Sequence, residues 1–260
     1  MVPFVYFMTF LVGLVIGSFL NVCIYRLPRD KSIVFPPSSC TSCGSPIKPW
    51  HNIPVISYVL LGGRCASCGE GISIVYPIVE LTNALLYIAA LYRFGLTGQA
   101  ALVMALVSAF IVIFFIDLEH RIIPNEITYP GIPLGLLLGP LVFHTGFLNS
   151  FIGALAGGGL LFGIAFLVSV IIKAESLGFG DVKLIAMVGG FVGWKLTLLT
   201  MFIGSVLGSV VGGGLIYSKK MDRRTMIPFG PFLVVGALVA IFFGRELIDW
   251  YFGYVSSPVQ

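Results

Sequence analysis

The sequence predicts an all-α polytopic membrane protein: about eight transmembrane helices, with one small polar insert after the first. Three observations predict it. The 260 residues are 58% hydrophobic and 10% charged, with a mean hydropathy of +1.04, whereas soluble domains carry roughly 25% charged residues. Apolar runs long enough to span a bilayer recur along the chain. The basic residues fall between those runs in an uneven pattern. A net charge of +4 is too small and too evenly spread to suggest a nucleic-acid partner.

The apolar segments are 3–23, 75–92, 99–117, 127–143, 150–172, 182–194, 196–217 and 229–252. The first lacks a basic region before it and a small-residue cleavage site after it, so it is expected to be a retained helix rather than a signal peptide. The polar insert follows, over 24–74. Segment 127–143 contains Pro130, Pro133 and Pro140 and is expected to be kinked and to line a cavity, because the freed carbonyls need partners. Segment 182–194 is short for a bilayer of about 30 Å at roughly 1.5 Å per residue. It is read as a short crossing helix rather than a re-entrant one. Small residues four apart, such as Gly13 and Gly17, Gly153 and Gly157, and Gly204, Gly208 and Gly212, suit close helix packing.

Orientation follows from Lys and Arg. With the N-terminus outside, the cytosolic set is Arg26, Arg29, Lys31, Lys48, Arg64, Arg121, Lys173, Lys183, Lys219, Lys220, Arg223 and Arg224, and the outer set is Arg93, Lys195 and Arg245. This division places the insert in the cytosol. It also matters for the insert's cysteines. Cys40-Thr-Ser-Cys43 and Cys65-Ala-Ser-Cys68 are two C-x-x-C pairs, each followed by glycine (Gly44, Gly69). Four thiolates suit a tetrahedral Zn²⁺. Disulfides or a redox pair are the rival readings, and a reducing cytosol disfavours stable disulfides. A site with four cysteines leaves no position for water, so the expected role is structural: the insert is too small and too poor in apolar residues to fold unaided. Cys23, alone at the end of the first segment, reads as a buried small hydrophobe.

Two aspartates stand at the mouths of apolar segments. Asp117 closes the run ending Phe-Phe-Ile-Asp, and Asp181 closes Gly178-Phe-Gly-Asp181. A carboxylate at a membrane edge is costly and is a functional candidate for that reason. The plain structural roles are an interfacial residue paired with His120 or Arg121 for Asp117, and a helix N-cap for Asp181. As a pair on one membrane face they suit an aspartyl-type hydrolase, with one carboxyl protonated and the other activating water.

Further motifs span nearly the whole chain: Gly17-Ser-Phe-Leu-Asn-Val-Cys-Ile-Tyr-Arg-Leu-Pro28, the two cysteine pairs bracketing Asn52-Ile-Pro-Val-Ile-Ser-Tyr58, Tyr76-Pro-Ile-Val-Glu80, Asp117 with Ile123-Pro124 and Ile127-Thr128, Gly178-Phe-Gly-Asp181-Val-Lys-Leu, and Ile227-Pro-Phe-Gly-Pro-Phe232. In these residues the chain resembles the type IV prepilin peptidases, the bifunctional leader peptidase/N-methyltransferases of type IV pili and type II secretion. The resemblance implies Asp117 and Asp181 as the catalytic pair, and Cys40, Cys43, Cys65 and Cys68 as zinc ligands. It implies S-adenosylmethionine as methyl donor, prepilins or pseudopilins as substrates and the bacterial inner membrane as location. Thr41 and His51 depart from the family's usual Pro and acidic residue. Neither change touches a thiolate or a carboxylate of the pair, although His51 bears on the methyl-transfer region.

The expected organisation is a first helix over 1–23, the cysteine insert over 24–74 (the methyl-transfer region, by resemblance), and a transmembrane aspartyl peptidase domain over 75–260. Glu119, Glu126 and Glu175 could attract a basic leader. Glu80 and Gly62-Gly63 are candidates for methyl transfer, against plainer roles as helix terminus and turn. No Rossmann fingerprint is present. The rival functions are a transporter with carboxylate relays, a peptidase without methyl transfer, and a metalloprotease. The last is disfavoured by the four-cysteine set and by the absence of H-E-x-x-H.

Overall fold

A computed structural model describes residues 2–172, 178–218 and 227–256. Lys173, Glu175, Lys219, Lys220, Asp222, Arg223 and Arg224 lie outside the described residues. Among the described residues the chain is helical, with two isolated bridges (Ser39 to Pro46, Arg64 to Gly71) in place of any strand. The helices are α1 Val2–Arg26, α2 Ile56–Leu60, α3 Val75–Phe94, α4 Gly98–His120, α5 Asn125–Val142, α6 Phe147–Ile172, α7 Phe179–Tyr217 and α8 Gly230–Ser256.

Six of these, α1, α3, α4, α6, α7 and α8, are long and apolar enough to cross a membrane. The expected proline-bearing segment is α5, 18 residues with Pro130, Pro133 and Pro140 inside it. The expected pair 182–194 and 196–217 is α7, which is broken at Gly193, where φ is 76° and ψ 170°. The chain doubles back there. A Cβ placed on Gly157 of α6 would lie 2.6 Å from methyl groups of both Ile185 and Thr197, residues about 18 Å apart along an unbroken helix. Only glycine takes this positive φ without strain. The two passes of α7 together with α5 bring the apolar segments to eight.

The chain forms two compact units, Met1–Ile116 and Asp117–Gln260. In the first, α1 and α3 pack antiparallel: Gly13 faces Ala84 and Gly17 faces Glu80, with a Cβ at either glycine only 2.6 Å from the opposing Cα. Such contact is how helices associate where lipid removes the hydrophobic drive. Buried polar groups are paired. Asn83 donates to the Gly13 carbonyl at 2.8 Å and accepts from the Ser108 hydroxyl at 3.0 Å, and Tyr87 meets that same hydroxyl at 2.9 Å.

In the second unit the first pass of α7 lies between α5 and α6. Gly131 of α5 meets Met187 and Gly135 meets Gly190, so α5 and this pass run parallel, while Gly153 and Gly157 of α6 meet Gly189 and Ile185 in the opposite sense. The second pass runs antiparallel to α8, with Gly204 against Leu233 and Thr200 against Gly236. One end of this unit therefore collects the last turn of α4 and the first turns of α5, α7 and α8.

Candidate active site and metal centre

That end carries both aspartates. Asp117 lies in the last turn of α4 and is 5% exposed; Asp181 lies in the first turn of α7 and is 8% exposed. The Asp117 carboxylate is within electrostatic reach of that of Asp181. The sequence expectation that Asp181 opens its helix as N-cap is corrected. The helix starts earlier, at Phe179, with Gly178 as N-cap in an extended conformation (φ −71°, ψ 134°). The helix begins early because Phe179 and Gly180 take helical geometry and close the first turn from the Gly178 carbonyl, which accepts from the Asp181 N–H at 3.0 Å. Asp117 does not pair through its carboxylate with Arg121. Its carbonyl caps the end of α4 by accepting the Arg121 N–H at 2.9 Å. His120 lies 3.8 Å from Glu119 instead.

Two features near the pair were not singled out from sequence. The backbone N–H of Gly230, at the start of α8, is directed toward the Asp117 carboxylate, and a Cβ on Gly230 would sit 2.6 Å from Asp117 Oδ2. That oxygen is buried and has no hydrogen-bond partner. Ile123, in the short connection from α4 to α5, is the common neighbour: Cβ atoms on Gly180 and Gly230 would meet it at 3.0 and 3.2 Å. The only signal for either was position within the motifs Ile123-Pro124 and Ile227-Pro-Phe-Gly-Pro-Phe232. Lys183 faces elsewhere. Its ammonium bonds Asn125 and lies over the rings of Tyr129 and Phe179, at 4.9 and 5.5 Å, which ties the start of α7 to α5. An unpartnered carboxylate oxygen beside a second buried carboxyl is costly to hold. Together they can bind a water and share its protons with a carbonyl.

The cysteine insert forms two matching turns. Cys40 N–H donates to the Ser45 carbonyl and Gly44 N–H to Cys40, both at 2.9 Å; Cys65 N–H donates to Glu70 at 2.8 Å and Gly69 N–H to Cys65 at 2.9 Å. Gly44 and Gly69 have φ of 71° and 75°. The four sulfurs lie within 4.8 Å of one another, with Cys40 and Cys68 at 4.0 Å. A tetrahedral ion with bonds of about 2.3 Å needs sulfurs roughly 3.8 Å apart, so a slight contraction would seat a metal. The thiols divide their protons unevenly. Hydrogen bonds at Ser45 hold Cys43 down at about 6, and backbone N–H groups at Cys68 and Ser67 hold Cys65 below the usual thiol range. Cys68, against the pull of the Glu70 N–H, is pushed up to about 12 by desolvation and the neighbouring sulfurs. Crowded sulfurs of this kind are what a divalent cation neutralises. Cys23 is buried, as expected.

The residues considered for methyl transfer have other partners. Glu80 is buried and accepts the Val55 N–H at 2.7 Å and a hydrogen bond from Ser18. Gly62 and Gly63 have φ of 60° and 68° and make a turn that closes on Tyr58 and Ile72. Glu119 and Glu126 are exposed near the aspartates.

Comparison with known proteins agrees with this arrangement. Residues 11–94 match the bacterial peptidase A24 N-terminal domain, and residues 104–213 match the type IV leader peptidase family. A relative from Pseudomonas aeruginosa, named prepilin leader peptidase/N-methyltransferase, is 32% identical over 95% of this chain and 93% of its own length. Relatives of the same name from Pseudomonas putida and Legionella pneumophila are 34% and 33% identical, over 93% and 96% of this chain and 92% and 96% of their own lengths. No solved structure matches. With relatives above 30% identity along nearly its full length, the chain belongs to the type IV leader peptidase family.

Proposed function

We propose that this chain cleaves the basic leader from type IV prepilins or type II secretion pseudopilins at the membrane boundary and then methylates the new amino terminus. The observation that carries the peptidase reading is the pair Asp117 and Asp181, both buried, within electrostatic reach, and set where helices α4 and α7 end and begin. Water attacks the scissile carbonyl carbon. One carboxylate takes the water proton, and the other carboxyl, protonated, donates a hydrogen bond to the carbonyl oxygen. Collapse of the tetrahedral adduct breaks the C–N bond, and the proton passes to the departing amine. The products are a leader carboxylate and a free amino terminus, with no acyl-enzyme. The two carboxyls titrate as one unit.

A prepilin's scissile bond lies between a basic leader and an apolar helix. The N-terminus-outside orientation supports the match, because it puts Asp117 and Asp181 at the cytosolic boundary of the inner membrane. Glu119, Glu126 and Glu175 would attract the leader. The insert over 24–74 would act as a module separate from the peptidase helices from 75 onward, with Cys40, Cys43, Cys65 and Cys68 holding a structural Zn²⁺. S-adenosylmethionine would supply the methyl group to the amine released by cleavage. The contacts of Glu80 and Gly62-Gly63 are those of packing and turns, which gives no fit for that donor at these residues.

The test is purified protein in lipid with a synthetic prepilin and S-adenosylmethionine, the product being read by mass. Leader loss followed by gain of one methyl group on the new terminus is expected. Cleavage without the gain would leave a peptidase alone, and no cleavage would overturn the reading.

A further inference from the structure

The metal-binding insert turns an apolar face outward. In α2, Ile56, Val59 and Leu60 are 54%, 68% and 79% exposed. Their spacing of three and four puts them on one side of the helix. The residue facing inward is polar: Ser57 is buried, donates to the Trp50 carbonyl and accepts the Ile53 N–H, both at 3.0 Å. Those two bonds bring Trp50 (62% exposed) and Ile53 (44% exposed) alongside α2. Water is a poor neighbour for five such side chains together, and a contiguous apolar patch marks an interaction surface.

Two observations identify what covers it. The first is level. Val55, immediately before α2, is tied by its N–H to Glu80, and Glu80 lies inside α3, a helix of 20 residues that is only just long enough to span. Residue 80 is about 8 Å along that helix from its start at roughly 1.5 Å per residue. The segment that begins α2 is thus pinned near the membrane-entry end of a spanning helix, and Ile74 and Ile78 are exposed at that same end. Val55 takes φ 60° and ψ −49° to reach Glu80, a conformation β-branched residues avoid. The second is charge. Among Lys, Arg, Asp and Glu, the exposed residues of the insert are Arg29, Lys31, Lys48 and Arg64 against Asp30 and Glu70, and the Lys48 ammonium sits 5.6 Å over the Trp50 ring. A tryptophan with adjacent lysine and an apolar helix face is the chemistry of a lipid headgroup boundary.

We propose that Trp50, Ile53, Ile56, Val59 and Leu60 rest in the headgroup region of an anionic bilayer, holding the cysteine insert flat against the membrane. Lys48 beside the patch, with the other exposed Lys and Arg of the insert, meets lipid phosphates, as juxtamembrane cations do.

The test uses the full chain in bilayers, with Trp194→Phe and Trp250→Phe leaving Trp50 as the one tryptophan of the three. Lipids brominated near the headgroup end of the acyl chain should quench most of the Trp50 emission, and lipids brominated at the chain terminus should quench little. The double variant Val59→Asp, Leu60→Asp changes exposed side chains only and should lose most of the shallow quenching, with helix content unchanged by circular dichroism. Quenching should be weaker in a wholly neutral bilayer; equal quenching there would contradict the part assigned to the cations. Trp50 unquenched by lipid but open to acrylamide would show the face in water and overturn the proposal. Trp50 shielded from both would show a protein partner, such as a second copy, and would overturn it equally. Neither readout involves peptide cleavage, so the result stands apart from the proposed activity.

Discussion

Gly230 shows at the scale of one residue how the proposed site is built. Its N–H is directed toward the Asp117 carboxylate, and its missing side chain leaves the space in which Oδ2 sits. Gly230→Ala places a carbon 2.6 Å from that oxygen, so either the carboxylate or the start of α8 must move. Misplacement of about 1 Å at a reacting group costs on the order of 10²-fold. The expected outcome is a fall in kcat for leader cleavage of that order with KM little changed, checked by steady-state kinetics on a synthetic prepilin. Neutralising Glu119 and Glu126 to Gln, by contrast, is expected to raise KM and spare kcat, because both are exposed beside the pair rather than part of it. The aspartates and cysteines could be picked out from sequence because their chemistry demands particular residue types: an acid at the end of an apolar run, or thiols at a fixed spacing. Gly230 could not. A backbone N–H has no residue identity, and its aim at Asp117 is set by how α8 meets the end of α4.

At the scale of elements, the apolar segments read from sequence recur as helices, because long hydrophobic runs and helix-forming composition point the same way. Helix starts were harder to place. Asp181 looks like an N-cap by type, yet the turn begins at Gly178, whose role depends on backbone conformation. The reversal inside α7 was legible as two separate crossing segments, 182–194 and 196–217, but its cause was not. Its cause is Gly193, which holds φ 76°. Gly193→Ala should destabilise the protein by about 1–3 kcal/mol, the cost of holding a residue with a side chain at a positive φ with extended ψ, and is read as a lowered thermal midpoint in detergent with cleavage retained below it. For the insert, removal of a metal held by four thiolates is expected to unfold the turns around Cys40 and Cys65. Chelation should therefore expose 24–74 to protease, with acid acting in the same direction since protonated thiols do not bind. Peptide cleavage should decline with that unfolding. An immediate and fully reversible loss of cleavage with the insert still protected would instead give the metal a catalytic part.

For the whole molecule, the two passes of α7 preserve alternation: each apolar segment from α5 to α8 runs opposite to the one before it. The proposed orientation, with the N-terminus outside, rests on the cluster of Lys and Arg on alternate connections. A phosphatase that works only when exported should be active when fused after Gly95 and inactive when fused after Arg121. The reverse pattern would invert the topology and remove the cytosolic leader from reach of the aspartates. The central claim is narrower than topology: two acids, one from each end of a long stretch of chain, act as one hydrolytic unit. The measurement closest to it is leader cleavage by Asp117→Asn and Asp181→Asn, each purified in lipid, alongside methylation of a synthetic pilin peptide that already has its leader removed. General acid–base groups contribute about 10²–10⁴-fold, so each variant should lose at least 10²-fold in cleavage while still methylating the pre-cut peptide. Cleavage retained by either variant would contradict the account.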